Sequence, residues 1–269
     1  MKYLISYGDD RYKLSLMRIA HQARQVGIFD RIIKYTPKDL PEYIKASPLF
    51  AFERGGGYWC WKPYVVYHTL NNCKEGDIII YVDAGCSLLK DSPEWDYFMR
   101  LIDTHSAVFF HYRNDYDYGW KSVNEDSSDI VAIKHWMKPS LIQYYNRFIS
   151  PEILDFEKIW AGFFIVKKTE TIIKTLETWY KMTLFHPDLI MDPLEGEIPC
   201  CHADFYEHRH DQAVLSPLVY HFQSVDNTIV LPETSESKVG KPAVVADRWR
   251  QGRSSLFWML KYMIWHLLH

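Results

Sequence analysis

The chain begins with a short apolar run that ends in acidic residues, and helically spaced apolar positions follow it. Residues 2–7 (KYLISY) predict a strand that ends at Gly8-Asp9-Asp10, and residues 30–36 predict a second strand cut by Pro37. The helix predicted between them ends at Val26-Gly27 and has apolar positions at Leu14, Met17, Ile19 and Ala20. This strand–helix–strand order predicts an α/β fold with a parallel sheet.

The middle of the chain continues the pattern. Residues 54–63 (RGGGYWCWKP) predict a glycine loop that leads into a buried helix ending near Leu70. Residues 78–82 (IIIYV) form a continuous apolar run, which is typical of a central parallel strand covered on both faces. Further strands are predicted over 106–112 and 160–166. A helix follows the second of these, with an apolar stripe at Ile172, Ile173, Leu176, Trp179 and Tyr180.

The last third is less regular. Residues 186–210 predict a loop, and a short helix is expected to start near Asp211 and to bend or end before Pro217. Since the sequence shows no repeat and no linker, we predict one domain over residues 1–246. Residues 247–269 form a basic and aromatic C-terminal tail, and 256–268 are almost wholly aromatic or apolar. We expect this tail to attach to an anionic membrane surface, with docking onto the domain as the alternative.

Composition narrows the class of protein. Apolar residues make up 48% and charged residues 24% of the 269 positions, which is typical of a globular chain. A net charge of −3 gives no reason to expect a nucleic-acid partner. Aromatic residues reach 16%, which favours surfaces that bind sugars or nucleobases, although a generously packed core is the alternative interpretation.

Cysteine usage and the N-terminal residues indicate a subcellular location. Five Cys without a C-x-x-C pair are typical of reduced, intracellular thiols. The first apolar run is too short for a signal peptide, and no apolar stretch is long enough to span a bilayer. We therefore expect a cytoplasmic protein, peripheral on the inner face of the membrane if the tail binds lipid.

Acidic residues follow two of the predicted strands. Asp83 ends the strand at 78–82 and is followed by Gly85, while Asp9 and Asp10 end the first strand. Ligands of open α/β sheets bind beyond the carboxyl ends of the strands. We therefore expect the three carboxylates to face one crevice. A nucleotide bound there would stack its base on Tyr7 or Tyr12. The alternative is that Asp83 only caps a turn.

A first strand ending in Asp-Asp-x-Tyr, followed by an apolar strand ending in an Asp motif, resembles the GT-A glycosyltransferases. The nearest likenesses are the family 8 type and the bacterial capsule and lipopolysaccharide transferases. The specific motifs cover only residues 3–12, 78–88, 160–166 and 208–212. The resemblance implies a Rossmann-like, mostly parallel sheet flanked by helices. It also implies transfer of a sugar from a nucleotide-diphosphate donor, usually UDP, to a hydroxyl of a surface glycan or lipid-linked glycan.

The family's metal motif is incomplete here. Asp-x-Asp is replaced by Asp83-Ala84-Gly85, so the second carboxylate ligand of Mn²⁺ or Mg²⁺ is missing. Asp83 is expected as a single metal ligand or as a ribose contact, and metal dependence stays open.

The resemblance also assigns roles to individual residues. Asp211 is expected to face the acceptor or the donor sugar as a catalytic carboxylate, with an N-cap as the alternative. The predicted nucleotide-sugar contacts are Tyr7, Gly8, Asp9, Asp10, Tyr12, Trp61, Lys62, Asp83 and Gly85, with Trp59, Trp61 and Lys62 on a mobile lid. The predicted sugar pocket comprises Trp160, Gly162, His210 and Gln212, although a core strand with a bulge at Gly162 fits equally. The predicted pyrophosphate contacts are Lys241, Arg248, Arg250 and Arg253, for which a solvated basic stretch is the alternative.

Three rival functions remain open at this stage. His202, Asp204, His208 and His210 resemble a hydrolase-type zinc site, but their spacing fits no helical metal motif. A nucleotidyltransferase uses a similar sheet, yet the loop after the first strand is acidic here rather than basic. An inactive glycan- or nucleotide-binding module would also explain the missing second aspartate.

Overall fold

The computed structural model describes residues 1–120, 129–201 and 203–249. Six strands form one sheet in the order β2-β1-β3-β6-β5-β7, and β4 pairs with β8. The strands are β1 (Lys2–Tyr7), β2 (Arg31–Tyr35), β3 (Ile78–Val82), β4 (Ser87–Leu88), β5 (Ala107–His111), β6 (Phe163–Lys167), β7 (Thr228–Pro232) and β8 (Val244–Val245).

Helices cover both faces of the six-stranded sheet. They are α1 (Lys13–Val26), α2 (Glu42–Lys45), the single turn α3 (Gly55–Tyr58), α4 (Trp61–Asn72), α5 (Glu94–Thr104), α6 (Pro139–Tyr145), α7 (Glu170–Phe185), α8 (Pro187–Ile190) and α9 (His210–Asp226). None of the helices in the described part of the chain is both long and apolar enough to cross a bilayer.

The sheet is mostly parallel. β1 pairs in parallel with β2 and β3, and β5 pairs in parallel with β7, whereas β6 runs antiparallel to both β3 and β5. The predicted mixed α/β fold, a mostly parallel sheet flanked by helices, is therefore confirmed. Residues 78–82 form the buried strand that was predicted. The expectation that it lies among parallel strands holds on one side only, because its neighbour β6 is antiparallel.

Alternation along β3 divides the core into two layers. Ile79 and Tyr81 join the layer that contains buried residues of α4, α7 and α9. Ile80 and Val82 join the layer built with α1 and α5. Successive side chains of a strand point to opposite faces. Tyr81 consequently points towards the same layer as α4 and α9.

Two local predictions are corrected, and one strand was missed. In α1 the buried apolar residues include Leu16, Ile19 and Ala23, whereas Leu14 and Met17 are exposed. α9 continues through Pro217 as far as Asp226 instead of ending before it. β7, which follows α9 directly, was not predicted, because its short run TIVLP merges into a polar segment.

Candidate active site

A cavity of about 790 Å³ lies at the carboxyl ends of β1 and β3. Its wall contains these predicted site residues: Tyr7, Gly8, Asp9, Tyr12, Trp61, Lys62, Asp83, Gly85, Trp160, Gly162, His210, Asp211, Gln212 and Arg248. Asp10 and Lys241 are exposed and are not among the lining residues. Arg250 and Arg253 lie outside the described residues. The structure thus brings Asp9 and Asp83, but not Asp10, to one crevice.

The centre of this wall is a buried lysine between two carboxylates. Lys62 Nζ lies 2.8 Å from Asp211 Oδ2 and 3.3 Å from Asp83 Oδ1. It also donates a hydrogen bond to the backbone oxygen of Ala161 at 3.2 Å. Only 3% of the Lys62 side chain is exposed. We call these three side chains the Asp83–Lys62–Asp211 cluster.

Three separate elements supply the cluster. Asp83 follows β3, Lys62 lies in the first turn of α4, and Asp211 lies in the first turn of α9. Asp211 is not an N-cap, since α9 begins at His210 and has no side-chain cap hydrogen bond. The turn after β3 is closed by the backbone, where Cys86 N–H donates to the backbone carbonyl oxygen of Asp83 at 2.9 Å. The carboxylates of Asp83 and Asp211 thus reach Lys62 from two different elements.

Burial and charge act in opposite directions on the cluster. Burial raises the pKa of Asp211 to about 6, with Lys62 opposing the rise and the Asp83 charge adding to it. Burial lowers the pKa of Lys62, but the Asp211 and Asp83 charges outweigh it and leave the pKa above its ordinary value. Opposite charges within a few ångströms favour the charged forms. Lys62 therefore stays an ammonium at neutral pH, and Asp211 is ionised at neutral pH and gains a proton near pH 6.

Tyr81 fixes the orientation of Asp83. Its hydroxyl donates to Asp83 Oδ1 at 2.5 Å, the same oxygen that faces Lys62. Burial, followed by the Asp83 charge, raises the pKa of Tyr81 well above its ordinary value. Tyr81 therefore remains a protonated donor, and one oxygen of Asp83 is held from two directions.

The glycine segment before α4 has left-handed backbone. Positive φ runs without interruption through Gly55, Gly56, Gly57, Tyr58 and Trp59. Tyr58 N–H donates to the Arg54 oxygen at 2.7 Å, which closes a left-handed turn. Glycine adopts this conformation freely, whereas other residues lose about 1–2 kcal/mol each.

The turn sets the start of α4 against the sheet. The Trp61 ring stacks on Tyr7 with 3.9 Å between centroids, and its Nε1–H donates to the Gly55 oxygen at 3.1 Å. One face of the Tyr7 ring is thus covered by Trp61. Tyr12 is left as the candidate ring on which a nucleobase would stack. The expectation that Lys62 belongs to a mobile lid is wrong, because Lys62 is buried against Ala161 and the two carboxylates.

His208 and His210 form hydrogen bonds with the backbone. His208 Nε2 pairs with the Leu189 oxygen at 3.0 Å, and Lys138 N–H donates to His208 Nδ1 at 3.4 Å. His210 Nδ1 pairs with the Ile190 oxygen at 2.8 Å, and burial lowers the pKa of His210 to about 4. His202 lies outside the described residues. The arrangement gives the rival zinc site no support.

The residues present do not fit a resident divalent cation. Within residues 1–120, 129–201 and 203–249, no three His, Cys, Asp or Glu side chains converge in a metal-binding arrangement. Position 85 is glycine, and Asp83 Oδ1 already contacts Tyr81 and Lys62. Mg²⁺ and Mn²⁺ prefer oxygen ligands, and both carboxylates of the cluster already pair with Lys62.

The end of the described chain crosses the Asp83 turn. Trp249 N–H donates to the Gly85 oxygen at 3.0 Å, and Ser15 Oγ donates to the Trp249 oxygen at 2.9 Å. Arg18, which lies 4.6 Å from the Trp249 ring centroid, donates to the Cys86 oxygen at 2.7 Å. The first residues of the predicted tail thus contact the domain, and the rest lies outside the described residues.

Sequence reasoning missed several residues of the wall. Arg11 forms an ion pair with Asp9 at 3.2 Å, and Arg248 forms one with Glu236 at 2.9 Å. Arg54, Tyr112, Arg209 and Glu236 also line the cavity. Arg54 and Arg209 stand next to predicted site segments, which was the available signal. Nothing in the local pattern marks Tyr112 or Glu236.

Comparison with solved structures aligns this chain with glycosyltransferases. A glycosyltransferase involved in glycosylation of the major capsid of PBCV-1 aligns over 97% of this chain and 98% of its own, with 9% identity and a TM-score of 0.47. The galactosyltransferase LgtC, in complex with donor and acceptor sugar analogues, aligns over 86% and 73%, with 12% identity and a TM-score of 0.36. Mouse xyloside xylosyltransferase 1 aligns over 86% and 85%, with 10% identity and a TM-score of 0.41. By sequence, the chain matches no family model and no curated protein.

Proposed function

We propose that this chain is a glycosyltransferase of GT-A type. It would transfer a sugar from a nucleotide-diphosphate donor, UDP being the first candidate, to a hydroxyl of a glycan. One observation carries the proposal: Asp83 and Asp211 meet at one buried lysine in a large cavity at the carboxyl edge of the sheet. A volume of about 790 Å³ falls within the usual size range of ligand pockets.

The wall divides into a nucleoside side and a sugar side. Gly8, Asp9 and Tyr12 follow β1, and Asp83 follows β3, which lies between β1 and β6 in the sheet. Backbone at Gly8 and a ring at Tyr12 suit a flat base, and a carboxylate suits ribose hydroxyls. Trp160 and Gly162 precede β6, on the other side of β3 from β1, and Gln212 lies in α9; we place the transferred sugar beside these residues.

The reaction forms one bond and breaks another. The acceptor hydroxyl oxygen bonds to the anomeric carbon, and the bond from that carbon to the diphosphate oxygen breaks. The bonding pair leaves with the nucleoside diphosphate, and the acceptor proton passes to a base. Asp211, with a pKa of about 6, is ionised at neutral pH and is our candidate for that base.

The acceptor is proposed from the sequence resemblance and not from the geometry. The strand-end motifs resemble those of capsule and lipopolysaccharide transferases, so a bacterial surface glycan, free or lipid-linked, is the first acceptor class to test. If residues 247–269 bind anionic lipid, the full chain should co-sediment with anionic vesicles at low salt and a chain ending at Gly252 should not. Equal sedimentation of the two would argue against peripheral attachment.

Donor turnover tests the proposed function. The full chain is incubated with UDP-, GDP-, CDP- and ADP-sugars, and release of the nucleoside diphosphate is measured by chromatography. We expect slow release from at least one donor and none above background in Asp83→Asn, whose fold is checked by its melting temperature. Tight binding without release would identify a binding module instead, and the absence of both binding and release would refute the proposal.

A further inference from the structure

The Asp83–Lys62–Asp211 cluster already contains a cation where two carboxylates converge. Lys62 Nζ contacts one oxygen of each carboxylate and the backbone oxygen of Ala161. These three contacts can occupy the three N–H donors of an ammonium group. The cluster is buried at Lys62 and Asp211, with 3% and 6% of their side chains exposed. The fold therefore holds the Lys62 ammonium group between the two carboxylates.

A divalent cation would have to compete with this lysine. The Asp83 oxygen near Lys62 also accepts the Tyr81 hydroxyl, so a metal there would displace two partners. Asp211 has its own ion pair at 2.8 Å. An ion that left Lys62 in place would be held by the other oxygen of Asp83 and would have to take its other ligands from water and phosphate.

The cavity has other cations for an anionic ligand. Arg11, Arg209 and Arg248 line it, and the side chains of Arg11 and Arg248 are 48% and 75% exposed. Exposed ion pairs such as those of Arg11 with Asp9 and Arg248 with Glu236 are weak. A diphosphate can replace the acidic partner, because guanidinium groups bind phosphate in a bidentate manner.

We propose that Lys62 is the resident counter-ion of the Asp83–Asp211 pair, so that this site binds its nucleoside diphosphate without a divalent metal. The inference rests on the proposed function and specifies how its donor is held. Lys62 acts here as a positioning residue: it pairs with one oxygen of each carboxylate and holds both at the cavity wall, while the arginines contact the phosphates.

Nucleotide binding with and without metal tests the inference. UDP, GDP, CDP and ADP are titrated into the full chain by calorimetry, once in EDTA and once in excess Mn²⁺. We expect at least one to bind with dissociation constants that agree within about threefold between the two conditions. Binding that requires Mn²⁺, by tenfold or more, overturns the inference but leaves the proposed function standing. Binding of none under either condition refutes both.

Direct Mn²⁺ binding gives a second readout. Electron paramagnetic resonance counts bound Mn²⁺ in the wild-type chain, in Lys62→Met and in the control Lys158→Met, which removes another buried lysine. We expect no stoichiometric Mn²⁺ in the wild type or the control, and one Mn²⁺ in Lys62→Met, where two carboxylates lose their ammonium. One tightly bound Mn²⁺ in the wild-type chain would overturn the inference, whether or not Lys62→Met folds.

Discussion

Lys62 and Lys158 are both buried in the described part of the chain, and their surroundings differ completely. Lys62 lies among three oxygens, two of them from carboxylates. Lys158 has no hydrogen-bond partner, and its Nζ lies 2.8, 3.8 and 4.4 Å from the ring centroids of Trp136, Trp120 and Tyr112. One lysine site is built from charged and polar oxygens, and the other from aromatic surface.

The pKa values of the two lysines move in opposite directions. Burial, aided by the charge of Arg209, lowers the pKa of Lys158 well below its ordinary value. The same burial acts on Lys62, but Asp211 and Asp83 reverse it. Burial alone therefore does not decide the charge of a lysine; the neighbouring groups do. Lys62 belongs to a charged centre, whereas the surroundings of Lys158 favour its neutral form.

Removing each lysine in turn should give the largest difference. Lys62→Met leaves two carboxylates without their cation, so we expect a loss of about 3–5 kcal/mol in the free energy of unfolding and about 100-fold in donor turnover. Lys158→Met conserves volume and should change stability by less than about 1.5 kcal/mol and turnover by less than about threefold. Urea unfolding and nucleotide release measure both. Equal effects of the two substitutions on stability and turnover would contradict the claim that the two buried lysines have different roles.

The pH dependence of turnover should report the charged centre. Asp211 has to be ionised to accept a proton, and its pKa is about 6 with Lys62 and Asp83 as the facing charges. We expect kcat/KM for the donor to fall about tenfold per pH unit below pH 6, in the wild type and in Lys158→Met alike. A flat profile between pH 5 and 8 would remove Asp211 from the role of base.

Lys158 should be visible in the pH dependence of stability. Its folded pKa lies below its unfolded value of about 10.4, so the unfolded chain binds the extra proton between these two values. The free energy of unfolding should therefore rise with pH, by up to about 1.4 kcal/mol per unit, relative to Lys158→Met. Denaturation curves at pH 7 and pH 9 measure the difference. No difference would mean that the three rings hold Lys158 as a cation.

The turn that leads to Lys62 should give the smallest effect. Gly56→Ala adds a methyl group at φ 59°, with Asp9 Oδ2 3.6 Å away. Gly76→Ala is the matched control, at φ 79° with nothing within 4 Å. Each substitution should lower the free energy of unfolding by about 1 kcal/mol, because alanine is strained in left-handed backbone. Of the two positions only Gly56 lines the cavity, so only Gly56→Ala should weaken nucleotide binding. Equal nucleotide affinities in the two variants would place the ligand away from this turn.

Much of the sheet could be predicted because its strands are short apolar runs bounded by Gly, Pro or Asp. The direction of β6 could not, since an apolar run such as FFIVK does not encode its orientation. The continuation of α9 through Pro217 was missed because proline usually ends a helix. Here Ser216 Oγ donates to the Gln212 oxygen at 2.8 Å within the same helix.

The candidate site could be predicted in outline only. Asp83 and Asp211 stand at the ends or starts of elements, where ligands usually bind, and the structure brings both to one cavity. Lys62 was expected on a lid because three consecutive glycines beside two tryptophans suit a mobile loop, but the lysine is buried and paired instead. Its partners are 21 and 149 positions away along the chain, and no local pattern encodes such a contact.

The central claim is that the Asp83–Lys62–Asp211 cluster is the reaction centre of a nucleotide-sugar transferase. Asp211→Asn tests it most directly, because it keeps the size of the side chain and removes its charge. Turnover and affinity are measured with the donor that the wild-type chain hydrolyses fastest. We predict that kcat falls at least about 100-fold while the donor dissociation constant stays within about threefold. Unchanged kcat in a folded variant that binds the donor normally would contradict the account.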